Sequence, residues 1–309
     1  MVTILFSASD ESWEKYRAPL ETAFDAVGLD VTLSTRHDPE TVEYIVYAPS
    51  SGLVDFSAFT RLKAVLNLWA GVEAVTGNPT LNVPLARMVD PGLTSGMVEY
   101  VTGHVLRHHL GIDDHIHNQD GVWRPEAPPL AQDRRVGILG IGALGAACAT
   151  TLAGLGFDVA GWSRSQKTID GITTLSGTEG LHAILARSDI LVLLLPLTEA
   201  TRGVIDGHAL DRMPPGAVII NPGRGPLIVD SALISALETG QIAHATLDVF
   251  ATEPLPRDHP FWSHPGVTVT PHIASSTRPP TAATVIAENV RRGEAGEPFL
   301  HLVDRDAGY

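Results

Sequence analysis

Cysteine is almost missing from the sequence: Cys148 stands alone. An internal disulfide is thereby excluded, and a lone thiol fits a reducing compartment. Cys148 lies in the small-residue stretch "GALGAACATTLAGLG" (142–156). That stretch reads as a packed helix, so the thiol is expected to be buried and unreactive. Long apolar runs are missing too. The longest, "ILVLLLPL" at 190–197, has eight residues and contains a proline, far short of the roughly 20 residues that span a bilayer. The opening "MVTILFSASDE" lacks a basic segment followed by a long apolar one. No secretory leader is visible, and the cytoplasm is the expected location.

Positive charge is scarce. Lys and Arg number 21 against 35 Asp and Glu, a formal net charge of −14, and no basic block offsets it. This balance argues against nucleic acid or an anionic membrane surface as a partner. An anionic ligand must then be gripped locally, against the overall field. No repeat and no low-complexity segment is visible. With 44% hydrophobic and 18% charged residues in 309, the composition is that of a globular chain long enough for two domains.

Short apolar runs alternate with helical stretches, the pattern of α/β units with parallel sheets. "VTILF" (2–6), "VTLS" (31–34), "YIVYA" (44–48) and "KAVLNL" (63–68) predict the strands of a first unit. A helix is expected from about Thr94 to Leu110, then a polar, proline-bearing passage to Arg135. A second unit opens with "RVGILG" (135–140). It continues through "FDVAGW" (157–162), "DILVLLL" (189–195), "GAVIINP" (216–222), "HATLDVF" (244–250) and "GVTVTP" (266–271). "VDSALISALETG" (229–240) predicts a helix with Asp230 as its N-cap. A last helix is expected over about 280–293.

"VGILGIGALG" holds Gly140, Gly142 and Gly145 in G-x-G-x-x-G spacing, between an apolar strand and an alanine-rich helix. In that context the motif predicts a dinucleotide site. Gly140 permits the tight turn, Gly142 lets backbone amides approach a pyrophosphate, and Gly145 lets helix and strand pack closely. The helix start, Ala143 and Leu144, offers free N–H groups and partial positive charge to the phosphates. At the end of the following strand, an Asp or Glu would hold the ribose hydroxyls of NAD. Here the residue is Ser163, followed by Arg164, Ser165 and Lys167. A carboxylate repels a 2′-phosphate, whereas a hydroxyl beside a guanidinium accepts one through charge-assisted hydrogen bonds. The expected cofactor is NADP(H) by preference, with NAD(H) as the other possibility.

Three further stretches fall at or near strand carboxyl ends, where open α/β sheets bind ligands. They are "NPGRGPLIVD" (221–230), "LDVFATEPLP" (247–256) and "VTPHIASSTRP" (269–279), and they carry Arg224, Glu253 and His272. A ketone beside a carboxylate needs these three chemistries. A guanidinium fixes the anion and polarises the carbonyl. A histidine gives the oxygen a proton as hydride reaches the carbon. A carboxylate next to a histidine orients it and favours its cation.

From "WAGVEAV" (69–75) through the last helix, the chain resembles the D-isomer-specific 2-hydroxyacid dehydrogenases. The resemblance rests on the glycine loop, "LPLT" (195–198), "NPGRGPLIVD", "DVFATEPLP" and "PHIAS", in the family's order. It implies that Arg224 binds and polarises the substrate and that Glu253 pairs with His272, the acid/base. It also implies that Asp248 faces the nicotinamide carboxamide and that Leu195, Pro196 and Leu197 line the cofactor. The backbone of Ala70, Gly71 and Val72 would cradle the substrate carboxylate.

The implied architecture is two doubly wound parallel-sheet domains, flavodoxin-like and Rossmann-like, with the active site in a cleft between them. Residues 1–97 plus 283–309 would form the substrate domain, and 98–282 the inserted dinucleotide-binding domain, with the helix near 94–110 crossing between them. "GWSRS" (161–165) and "VWRP" (122–125) are most similar to the glyoxylate/hydroxypyruvate reductase group. There, the tryptophan matching Trp123 reaches toward the active site of the other subunit of a homodimer. The implied reaction is reduction of a small 2-oxoacid to the 2-hydroxyacid. A longer or branched 2-oxoacid is the alternative substrate. A non-catalytic NADPH-sensing protein is the alternative from another class. Trp69 stands where small residues are common and narrows the expected substrate site, while Glu73 replaces a frequent Asp.

His104 and His108, in "HVLRHHLGIDDHIH" (104–117), share the i, i+4 spacing of paired metal ligands. No third ligand has a compelling position and no Glu follows His104, so no metal is expected.

Overall fold

The computed structural model describes residues 1–305, 307 and 308. The chain divides into two compact units, Met1–Leu93 with Ser276–Tyr309, and Thr94–Ser275. In the first, β1 (Val2–Ser7), β2 (Val31–Ser34), β3 (Tyr44–Tyr47), β4 (Ala64–Asn67) and β5 (Leu85–Ala86) form one sheet ordered β2-β1-β3-β4-β5. Every pairing is parallel. Sheets of this kind bury both faces, so their strands read as continuous apolar runs; "YIVY" and "AVLN" of β3 and β4 are buried at every position. Alternate residues serve opposite faces. Tyr44 and Val46 pack with Ile4, Phe6 and Leu66, and Ile45 and Tyr47 pack with Val65, Leu81 and Leu85.

The helix α1 (Asp10–Ala26) covers the first of these faces with Tyr16, Leu20, Ala23 and Phe24, the spacing of one helical stripe. Ser9 starts it by accepting from the Ser12 amide at 3.2 Å. The helix Pro279–Ala295 packs beside α1 on the same core through Ala283, Ile286, Ala287 and Val290.

The second unit begins within α2 (Pro91–His109), at Thr94, and continues through the short α3 (Ile112–His117). Its strands are β6 (Arg135–Leu139), β7 (Asp158–Ser163), β8 (Thr173–Ser176), β9 (Ile190–Leu193), β10 (Ala217–Asn221), β11 (Ile242–Leu247) and β12 (Val267–Val269). They form a seven-stranded sheet ordered β12-β11-β10-β9-β6-β7-β8, again parallel throughout. The strand order reverses between β6 and β9, which creates the crevice that binds ligands in such sheets. Helices α4 (Ala143–Gly154), α5 (Gly177–Arg187), α6 (Gly207–Asp211) and α7 (Asp230–Glu238) connect the strands. Leu139, Leu191, Leu193 and Leu247 face one core; Ile138, Ile190, Val192 and Ile220 face the other, with Val101, Val105 and Cys148. Burial pushes the Cys148 thiol up to about 12, so it is not a nucleophile at neutral pH.

Several local expectations needed adjustment. Helix α2 begins at Pro91 rather than Thr94, because Asp90 Oδ2 accepts from the Gly92 and Leu93 amides at 3.0 and 3.3 Å and proline suits a first helical position. Asp230 is not the N-cap of α7 but its first residue; Val229 precedes the helix without a side-chain cap. The reason is tertiary. Val229 N donates to Ile205 O and Ile228 bridges Ile205, which holds 228–229 extended until the helix starts. Asp230 still places its charge in the first turn, where the helix dipole favours it. Strand β8 and helix α3 lie in stretches too polar to show a period.

Candidate active site

In the second unit the motifs gather at the carboxyl edge of the sheet. After β6, Gly140 adopts φ 102, and a Cβ there would lie 2.5 Å from Leu194 O. Gly145 has ordinary φ, but its Cβ would stand 1.9 Å from Gly140 O, so the first turn of α4 packs directly on the loop. Gly142 differs from both. It precedes α4 with φ −73 and no side-chain cap, and a Cβ there would meet nothing within 4 Å. Neither the fold nor the backbone demands glycine at this position, so the open space above it suits a ligand. The first-turn amides of α4 point the same way as any helix start, toward an anion. These residues therefore fit the pyrophosphate of a dinucleotide.

Ser163 ends β7, 8% exposed, and its hydroxyl donates to Ser165 O at 2.7 Å. It shapes the turn that carries the exposed Arg164. Lys167 Nζ donates to Ile141 O at 3.3 Å, placing an ammonium against the glycine loop itself. After β9, Leu194 N donates to Leu139 O at 2.7 Å, which seats Leu195, Pro196 and Leu197 next to that loop. Thr201 Oγ1 donates to Pro196 O at 2.7 Å and accepts from Thr198 N at 2.8 Å.

Arg224 is held by a turn that begins at the fully buried Asn221. Asn221 Oδ1 accepts from Gly223 N at 3.1 Å and its Nδ2 donates to Arg224 O at 2.9 Å. The guanidinium donates to Gly223 O at 2.7 Å. A Cβ on Gly225 would lie 2.1 Å from the Phe250 carbonyl carbon, so this turn presses against the loop after β11. In that loop Glu253 Oε1 accepts from Phe250 N at 2.9 Å, and Oε2 lies 2.7 Å from His272 Nδ1. The carboxylate has only acceptors, so Nδ1 carries the proton in this pair and Nε2 is the ring atom left to face a substrate.

His272 sits at φ 55, a left-handed conformation uncommon outside glycine. It is pinned by Asp248. The Asp248 carboxylate is fully buried and accepts from Thr270 Oγ1 at 2.6 Å, Ile273 N at 2.9 Å and Ala274 N at 2.8 Å. Its backbone carbonyl accepts from His272 N at 2.9 Å. The structure thus gives Asp248 a loop-organising position. Asn221 and the Thr270–Asp248 contact escaped sequence reading; the "NPG" turn, with its Asx geometry, was the available signal for the first.

Of the remaining predicted residues, Ala70, Gly71 and Val72 belong to the first unit, in the loop after β4, beside a half-exposed Trp69 (47%). Trp123 is 89% exposed, in the polar passage after α3. His104 and His108 pack within the second unit: the His104 ring lies 4.4 Å from that of Tyr100, tilted at 53°, and His108 Nε2 lies 2.9 Å from Thr246 Oγ1. Burial lowers the pKa of both. Among the described residues, no group of three or more His, Cys, Asp or Glu is placed to hold a metal ion.

Residues 102–274 match the family model described as D-isomer specific 2-hydroxyacid dehydrogenase, NAD binding domain. Glyoxylate/hydroxypyruvate reductase A of Serratia proteamaculans is 43% identical over 257 residues, 81% of this chain and 82% of that protein. The protein of the same name from Yersinia enterocolitica is 40% identical over 283 residues, 89% and 90% of the two chains. Among solved structures, a D-isomer specific 2-hydroxyacid dehydrogenase from Xanthobacter autotrophicus Py2, in complex with NADPH and MES, superposes with a TM-score of 0.93 at 43% identity, covering 100% of this chain and 99% of that one. An NADPH-dependent glyoxylate/hydroxypyruvate reductase from Sinorhizobium meliloti, in complex with NADP and sulfate, gives 0.87 at 36% identity, with 100% and 99% covered. The chain belongs to the D-isomer-specific 2-hydroxyacid dehydrogenase family.

Proposed function

We propose that the protein reduces small 2-oxoacids of the glyoxylate or hydroxypyruvate type to the corresponding 2-hydroxyacids, with NADPH preferred as hydride donor. The observation that carries this reading is the His272–Glu253 pair at 2.7 Å, in a loop wedged against the Arg224 turn. When bound, NADPH supplies the hydride. The glycine loop and the α4 N-terminus receive its pyrophosphate, while Arg164, Ser165 and Lys167 receive the 2′-phosphate. The ring of Asp248 contacts that holds residues 270–274 is, in our reading, also the wall on which the nicotinamide end rests. Arg224 binds the substrate anion and draws electron density toward the carbonyl oxygen. Protonated His272 delivers a proton from Nε2 to that oxygen, and Glu253 holds the ring through Nδ1. Ala70, Gly71 and Val72 bind the substrate carboxylate through backbone amides.

We further propose a cytoplasmic homodimer. The lone buried Cys148 supports a reducing compartment. Among the described residues, no helix is long and apolar enough to cross a membrane. Trp123 (89%), Leu130 (66%), Ile116 (61%) and Val122 (60%) are exposed within one short segment, an apolar surface suited to a second copy.

The test is consumption of reduced nicotinamide with glyoxylate, hydroxypyruvate, pyruvate and a branched 2-oxoacid, each with NADPH and with NADH. Fast NADPH oxidation with the two small polar acids supports the proposal. A branched acid as the best substrate would overturn the substrate class, and NADPH binding without any turnover would favour a sensor.

A further inference from the structure

We infer that Asn67, the last residue of β4, is a positioning residue that aims the substrate-carboxylate amides; this rests on the proposed role of Ala70–Val72. Asn67 is 1% exposed, on a strand whose other residues are Ala64, Val65 and Leu66. Its Nδ2 donates twice upward into the following loop, to Trp69 O and to Gly71 O, both at 2.8 Å.

The consequence follows from the planarity of the peptide unit. In a trans peptide the C=O of one residue and the N–H of the next point in opposite directions, and both peptides here are trans. Fixing Trp69 C=O toward Asn67 turns the Ala70 N–H away from it. Fixing Gly71 C=O likewise turns the Val72 N–H away. One side-chain amide therefore sets two N–H groups, two residues apart, on the same outward side of the loop. Among the described residues neither N–H has an acceptor in the protein. Neighbouring carbonyls are tied inward as well: Leu68 O accepts from Thr277 Oγ1 at 3.0 Å, Trp69 O also accepts from Met88 N at 3.1 Å, and Val72 O accepts from Thr76 Oγ1 at 2.6 Å. Gly71 O has Asn67 as its sole anchor among these contacts, so the Val72 amide depends on Asn67 most.

Asn67 meets the loop through one end of its amide only. Its Oδ1 is buried without a hydrogen-bond partner, which offsets part of what the two Nδ2 bonds contribute. The ligand class implied is a carboxylate, whose two oxygens match two parallel N–H donors.

The test uses the full-length protein supplied with NADPH and the variants Asn67→Leu, Asn67→Asp and Asn67→Ser. Leu removes both donors, Asp keeps at most one and only while protonated, and Ser keeps one on a shorter arm. For Leu and Asp, KM for glyoxylate should rise about tenfold or more, the loss of charge-assisted contacts. Turnover number and NADPH dissociation constant should stay within about twofold of the parent, with Ser between the parent and Leu. Asn67→Leu also leaves Gly71 O without its anchor, so its melting temperature should fall somewhat; a rise in KM at unchanged turnover is the readout that a purely structural role would not move. Unchanged KM in Leu and Asp would overturn the assignment, as would a fall in melting temperature with unchanged KM. A second measurement separates this from the reading beneath it: in ¹⁵N-labelled parent protein, oxalate should shift the Ala70 and Val72 amide resonances. Absence of that shift would overturn the carboxylate cradle itself, and with it the role of Asn67.

Discussion

Nδ1 of His272 lies 2.7 Å from Oε2 of Glu253, while the other Glu253 oxygen is taken by the Phe250 amide at 2.9 Å. The carboxylate is thus anchored through one oxygen and meets the imidazole with the other, and the ring cannot turn without losing that contact. His272→Ala should lower turnover by a factor on the order of 10²–10⁴ with NADPH affinity retained. Glu253→Gln, which keeps an acceptor but loses the charge, should give a smaller fall, still about tenfold or more. Steady-state kinetics beside a fluorescence titration of NADPH check both; unchanged turnover in His272→Ala would refute the acid role.

Gly142 and Gly145 should respond to alanine in opposite ways. A Cβ on Gly145 would collide with Gly140 O at 1.9 Å, whereas one on Gly142 meets nothing within 4 Å. Gly145→Ala should lose roughly 1–3 kcal/mol of stability through overpacking. Gly142→Ala should melt like the parent yet bind NADPH about tenfold more weakly. Melting curves with and without NADPH distinguish the two, and an undisturbed affinity in Gly142→Ala would contradict the pyrophosphate assignment.

Removing Arg164 should erode the choice between cofactors rather than the chemistry. The ratio of kcat/KM for NADPH over NADH should drop roughly 10–100-fold in Arg164→Ala, the range of one charge-assisted contact. Full retention of the preference would reduce "SRS" to a surface turn.

Asp248 is a loop anchor with three donors converging on its buried carboxylate. In Asp248→Asn one oxygen becomes an NH₂ group that faces N–H or O–H donors. Stability should fall by roughly 1–3 kcal/mol, and turnover should fall with it because residues 270–274 carry His272. Hydrogen exchange of the Ile273 and Ala274 amides reports the loosening directly; wild-type protection there would be inconsistent with the anchor.

The His108 and His244 rings lie 4.9 Å apart, facing Arg107, Asp113 and His104, with His264 also near His244. Burial, then His244 and Arg107, push His108 down to about 3; burial, then Arg107, push His244 down to about 4. The unfolded chain takes up protons below about pH 6.5 that the folded one refuses. Stability should therefore be complete above that pH and fall as pH drops toward 4, with a slope up to about 1.4 kcal/mol per pH unit for each histidine. Melting temperatures between pH 7 and pH 5 should decline, and less steeply in His108→Leu with His244→Leu. An equal slope in that double variant would place the acid sensitivity elsewhere.

What the sequence determined by itself is what local chemistry demands. Apolar runs bounded by turn residues yield strands because a doubly covered parallel sheet needs both faces apolar. The G-x-G-x-x-G run is legible because a tight turn, a close ligand approach and a close helix contact each require glycine at a fixed offset. Arg224, Glu253 and His272 stand out as polar residues among turn formers at strand ends. The tertiary structure decided what depends on contacts between residues far apart in the chain. Asp248 meets the 270–274 loop, Gly225 presses on Phe250, and Ile205 delays the start of α7 by holding Val229. Asn67 reads as a stray polar residue ending an apolar strand, and no pattern shows which carbonyls its amide will reach. Hydrogen-bond partners are chosen by how the backbone returns on itself in space, and one-dimensional spacing carries no record of that return.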